Sequence, residues 1–168
     1  MGFVGSATRG ALAGVVATAA MDLVWYRRHR AAGGEMGLAE WEFSSDASSF
    51  EQAPAPAQVG HRIAGAVGIS LPQSEIATTN NLVHWMTGIG WGKFAGLLAS
   101  ALPVPRLAVG VSTGVMAWGT SYAVLGKLGV YRPITEYDRE TLWKDLSAHL
   151  VFGTTLGAVL TLATRSRP

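Results

Sequence analysis

Four residues at the ends of long apolar stretches carry most of the chemistry open to this chain: Asp22, His84, Tyr122 and His149. A fifth, Lys93, sits near the middle of the second stretch. A carboxylate beside imidazoles can bind or relay a proton, because histidine titrates near neutrality and a neighbouring charge moves that point. The same groups can hold a cation or a small polar solute. The plainer reading is pairing, with Asp22 hydrogen-bonded to a histidine or to Tyr122 and so tying helices together. An ionisable group inside a membrane costs on the order of 2.5–3.5 kcal/mol at mid-span, so it has a partner or a task. Lys93 has no acidic residue at its depth, and helical side chains lean toward their own N-terminus, which aims its ammonium at the level of Asp22 and Tyr122. Snorkelling along the helix, or deprotonation in an apolar setting, is the rival account.

Other chemistries find less support. His84 and His149 have the residue type for two axial haem ligands, and with Asp22 for a zinc site, but nothing else marks such a pocket. The expectation is therefore no cofactor, with haem or a metal at His84 and His149 as the alternative. The chain has no cysteine, which removes disulfides, thiolate nucleophiles and sulfur ligands. No Gly-x-Ser-x-Gly turn exposes a serine, and no catalytic residue is expected. A net charge of +2, with arginines at the ends of apolar blocks, argues against a nucleic-acid partner.

The elements that must position these residues are four apolar blocks: Gly10 to Trp25, Leu82 to Leu102, Leu107 to Leu125 and Leu146 to Ala163. A bilayer core about 30 Å thick needs roughly 20 helical residues. The blocks therefore predict an all-α polytopic membrane protein, a four-helix transmembrane bundle forming one membrane domain over 1–168, with spans at about 8–26, 81–102, 107–126 and 145–163. Ala17-Thr18-Ala19 has the look of a signal cleavage site. The apolar run nevertheless continues to Tyr26 and then meets Arg27, Arg28 and Arg30, as a retained anchor does.

Between the first two blocks lies a polar loop, 27–80, with Gly33-Gly34, serines from Ser44 to Ser49 and Pro54-Ala55-Pro56. Val59, Ile63, Ala66 and Val67 fall at helical steps within it and predict an amphipathic surface helix at about 57–69, the rival being a solvated loop helix. The acidic residues from Glu35 to Glu51 read as loop solvation. Trp25, Trp41 and Trp143 suit interfacial anchoring, and Trp91 and Trp118 suit the bundle core. Loops 27–80 and 127–144 carry Arg27, Arg28, Arg30, Arg62, Lys127, Arg132, Arg139 and Lys144, against Arg9, Arg106, Arg165 and Arg167 on the other side. The basic bias makes those loops cytoplasmic.

Small residues at four-residue spacing mark the faces on which the helices meet: Gly10 and Gly14, Gly88, Gly92 and Gly96, Gly110 and Gly114, Gly153 and Gly157. Lipid gives no hydrophobic force between helices, so close backbone packing on such stripes holds a bundle together. Two phrases recur. Gly10 to Ala17 matches Gly110 to Ala117, and His84-x-x-x-Gly-x-x-x-Gly matches the series from His149, which suggests two related helical hairpins. Chance among abundant glycine and alanine is the competing explanation.

The Ala-Gly-Val-Val-Ala phrase at 13–17, His84-Trp85-Met86 and Ala-His-Leu-Val at 148–151 resemble pieces of the YagU-like bacterial inner-membrane proteins. The likeness covers three short patches and departs from that family in the long first loop. It implies a multi-pass location in a bacterial inner membrane and carries no catalytic residue across; arginine in excess of lysine and heavy Ala/Gly usage also suit a bacterial chain. Three functions follow as expectations. The first is a structural or accessory membrane protein, partnered by the lipid bilayer and by a homo-oligomer or another membrane protein. The second is a small proton-linked transporter or permease built on Asp22, His84, Lys93, Tyr122 and His149. The third is a bis-histidine haem redox protein.

Overall fold

Proline interrupts helices by removing a donor and clashing with the preceding turn, and none of the six prolines among the described residues falls within the four longest helices. The computed structural model describes residues 2–165 and, among them, contains helices and no strand. In chain order these are α1 (Phe3–Ala31), α2 (Leu38–Glu42), α3 (Ala55–Ala66), α4 (Ile76–Ala101), α5 (Arg106–Lys127) and α6 (Arg139–Arg165), with single 3-10 turns in the connections. Arg167 lies outside the described residues. At the end of α1 the chain turns through Gly33, whose φ of 90° suits a residue without Cβ. Arg28, His29 and Arg30 occupy the last turn, where the helix dipole is negative.

α1 and α6 are each long and apolar enough to cross a membrane. α4, at 26 residues, and α5, at 22, have the length. Their glycines, and Lys93 in α4, dilute the apolar character that the same test requires.

The long helices pack as two close pairs, α1 with α4 and α5 with α6; α1 also runs along α6, while α4 and α5 meet over a shorter stretch. Glycine makes each pair possible. A Cβ placed on Gly14 would lie 2.6 Å from the Gly88 carbonyl oxygen, and one on Gly92 would lie 2.7 Å from the Gly14 Cα. In the other pair, a Cβ on Gly153 would lie 2.6 Å from the Gly110 oxygen, and one on Gly157 would lie 2.7 Å from the Leu107 Cα. Where the pairs face one another the core is Ala13, Ala17, Ala95, Val109, Phe152, Leu156 and Leu160, with Trp91 and Met21 against it.

The two pairs correspond, but not in the alignment that the sequence suggests. Gly14 faces Gly88 and Gly92, whereas Gly114 faces His149 and Gly153; Gly96 meets Ser6, whereas Gly157 meets Arg106. The partner of Gly88 in the second pair is therefore His149, and the partner of His84 is Asp145. The His-x-x-x-Gly-x-x-x-Gly match is out of step with the packing by one helical turn. Small residues at i, i+4 and i+8 allow this, because sliding a glycine stripe by one turn puts another glycine in the same contact.

Residues 32–75 are more folded than a solvated loop. Phe50, Ala53, Ala57 and Ile76 form a small second core, and Gly60 lets α3 approach Thr79 and Val83 of α4. α3 starts and ends a little earlier than the 57–69 expected. Its small residues face α4, while Ile63 and Val67 of the anticipated apolar stripe point outward, 60% and 69% exposed. Arg62 donates to the Leu128 carbonyl, which ties α3 to the end of α5.

The crossing makes opposite demands on two neighbouring glycines. Gly92→Ala forces α1 and α4 apart and is expected to cost about 1–3 kcal/mol, as overpacking does. Gly90 has open space around its missing Cβ, so Gly90→Ala should stabilise by up to about 1 kcal/mol through the unfolded chain. Denaturant unfolding of both variants in detergent micelles, followed by helical circular dichroism, checks the contrast.

Candidate functional site

The buried stripe on α1 is Ser6, Gly10, Gly14, Thr18 and Asp22. The Thr18 hydroxyl donates to the Gly14 carbonyl at 2.9 Å, and its side chain fills the space that a Cβ on Gly88 would take. One turn further on, the same register sets Asp22 opposite His84. His84 Nε2 and Asp22 Oδ1 are 2.8 Å apart, with 26% of the histidine side chain and 11% of the aspartate side chain exposed. Asp22 Oδ2 is enclosed and has no hydrogen-bond partner among the described residues. A carboxylate has lone pairs for several donors, so this oxygen can take a proton, a cation or a further donor.

The segment after α1 folds back over this end. Tyr26 donates through its hydroxyl to the Met36 carbonyl at 3.2 Å, and Trp41 packs its ring on Tyr26 and His29 with centroids 5.6 and 6.1 Å away. Trp41 is thus part of a folded contact between α1 and α2. Glu42 ends α2. Its carboxylate accepts from Trp85 Nε1 at 3.0 Å, and its backbone carbonyl accepts from Asn81 Nδ2 at 2.7 Å. A second carboxylate is thereby brought within electrostatic reach of His84. Sequence reading treats Glu42 as one of several solvated loop acids and so misses it; its place between Trp41 and Phe43 was the signal.

Tyr122 and His149 form a separate group. Tyr122 is buried among Trp118, Tyr131 and Tyr137, with ring centroids 5.5, 5.2 and 5.3 Å away. His149 Nδ1 sits 2.9 Å from the Asp145 carbonyl oxygen and 3.4 Å from Asp145 Oδ1, one turn back on its own helix. The one-turn register difference explains the split. In α1 and α4 the facing residues are Asp22 and His84, while the corresponding positions of α5 and α6 are Tyr122 and Asp145. No hydrogen bond joins the two groups among the described residues. At this end Arg28 clamps α1 to α6, donating to the Lys144 carbonyl and to the Ser147 hydroxyl, each at 2.7 Å.

Lys93 does not join either group. Gly88, Gly92 and Gly96 face α1, so Lys93, one residue and about 100° further round the helix, looks outward. It is exposed beside the exposed Phe94 and makes no ion pair among the described residues. His84 and His149 are held in different helix pairs, each beside its own aspartate. No three His, Asp or Glu side chains converge into a ligand set among the described residues.

Comparison with family models, with curated proteins and with solved structures found no match. The likeness to YagU-like proteins therefore rests on its three short patches alone.

Tyr131, in the connection between α5 and α6, offers a spectroscopic handle. Burial pushes its hydroxyl up to about 12, with the negative charge of Asp145 and then Tyr137 adding to the effect. A raised acid favours the protonated fold. Its contribution is complete below the ordinary tyrosine value near 10 and is lost as pH rises from there through about 12. Ultraviolet titration should show Tyr131 ionising late, and Asp145→Asn should bring it earlier. An unchanged titration in that variant would show that Asp145 adds nothing to the effect of burial.

Proposed function

We propose that this chain is a multi-pass membrane protein of the bacterial inner membrane in which α1, α4, α5 and α6 all span the bilayer, and that it serves as a structural or accessory component. One observation carries the reading: the outer face of the four-helix assembly is as apolar as its core, and several polar side chains are buried within it. Ser6, Thr18, Asp22 and Thr113 are buried, while Leu12, Leu23, Leu82, Phe94, Met116 and Leu162, drawn from all four helices, are exposed. In water so large an apolar surface is a liability; in lipid it is the ordinary outer face. The backbone contact within each pair leaves no room for a solute path between α1 and α4 or between α5 and α6. In this reading the Asp22–His84 pair locks two spans together. The basic loops set that end in the cytoplasm, and the location agrees with what the YagU-like resemblance implies.

A small proton-linked transporter is the second reading, favoured by the unpartnered Asp22 Oδ2. The two readings separate on substitution. As a lock, His84→Ala strands the aspartate and costs about 1–3 kcal/mol. The double change Asp22→Leu with His84→Leu restores most of that, since an apolar pair carries no desolvation penalty. As a proton path, wild-type protein in liposomes carries a pH-driven proton flux that Asp22→Asn abolishes. Flux in the wild type would move the transporter reading to first place.

Topology is directly accessible because the chain has no cysteine. Single cysteines at Ser45, Val104 and Thr135 should react with an impermeant maleimide from opposite sides: 45 and 135 from the cytoplasm, 104 from outside. Labelling of all three from one side rules out four spans.

A further inference from the structure

We infer that the outward face of α4 docks a transmembrane helix of another protein, and that this helix carries a carboxylate at mid-depth to pair with Lys93. The inference rests on the four-span reading and names the kind of partner that an accessory protein of this shape holds.

Lys93 lies near the centre of α4, is exposed, and makes no ion pair among the described residues. In lipid a lysine at that depth has neither water nor counter-charge, and intramembrane cations therefore pair with another group. Escape to the surface is hard from here. The nearer end of α4, at Ala101, is eight residues on, about 12 Å along the axis. Helical side chains lean toward the N-terminus of their helix, away from that end. The ammonium is carried back over the turn that holds Gly90.

The surface around it suits a neighbouring helix. Leu82, Met86, Gly90 and Phe94 follow one another at four-residue steps and all are exposed. Gly88, Gly92 and Gly96 are used up in the crossing with α1, whereas a Cβ on Gly90 would meet nothing within 4 Å. An open glycine one turn before the lysine lets a second backbone come close to the charge.

Charge decides the occupant. Asp22 pairs with His84, which is nine residues, or about 14 Å, along α4 from Lys93. Asp145 lies at that same end, next to the Lys144 carbonyl that Arg28 clamps. A second copy related by an axis along the membrane normal would therefore bring Lys93 level with its own counterpart and supply no carboxylate. A foreign helix with an acid at mid-span meets the need, because each charge is costly alone in lipid and pairing relieves both.

Energy transfer in liposomes tests the surface. The full chain is labelled through Val104→Cys, and the probe is a labelled leucine–alanine transmembrane peptide with one Asp at its centre, a position that keeps its depth in either orientation. Association roughly tenfold or more tighter than with the same peptide bearing Asn is expected, as for a hydrogen bond between charged groups. Lys93→Met should erase that preference and Lys93→Arg should retain it, at equal helicity, so that misfolding is separated from loss of charge. Gly90→Leu should weaken association by holding the peptide off. Equal association of the Asp and Asn peptides, or a preference that survives Lys93→Met, overturns the site. Transfer between two labelled copies that Lys93→Met abolishes gives the face to a second copy and overturns the foreign partner. The topology labelling described above, run on the same liposomes, keeps the failures apart: four spans without an acid preference remove the partner alone, and rejection of four spans removes both.

Discussion

The contact on which the rest of the structure depends is the meeting of backbones without side chains between them. At Gly14 and Gly92, and again at Gly110 and Gly153, two helices approach until main-chain atoms touch. That closeness restricts each pair to registers one turn apart, and the register adopted decides which polar side chains meet. Asp22 reaches His84 because Thr18 settles on Gly88 one turn earlier. A pair separated by leucines would leave the same side chains too far apart for a hydrogen bond.

The helices, their approximate ends and their packing faces were legible because they depend on local pattern. Long proline-free apolar runs make helices, and glycine at every fourth position makes a face. Those faces leave Asp22 a choice between a histidine and Tyr122, and the register selects His84. What was not legible depends on how one face sits on another. The sequence aligns His84 with His149, yet the packing equates His84 with Asp145, because a glycine stripe is nearly invariant to a slide of one turn. Depth and helix lean leave Lys93 between a pairing at the level of Asp22 and snorkelling outward, and only its angular position beside Gly92 shows that it faces out.

The folding of the loop is hidden in the sequence for a different reason. Its apolar residues, Phe50, Ala53, Ala57 and Ile76, come from separate short elements and show no common period. Periodicity finds faces on single helices and is blind to a core assembled across several turns. Glu42 was lost in the same way, since its role comes from Trp85 and Asn81, far along the chain.

The one-turn slip gives the bundle a chemical asymmetry that its backbone packing lacks. Two hairpins of matching shape place their carboxylates on opposite members: on the first helix in one half, on the second in the other. Rotating one half onto the other would superpose helices yet exchange acid for phenol and imidazole for acid. The likeness of the two halves is thus one of packing and not of chemistry: the same glycine contact buries an acid–imidazole pair in one half and a phenol beside an acid in the other.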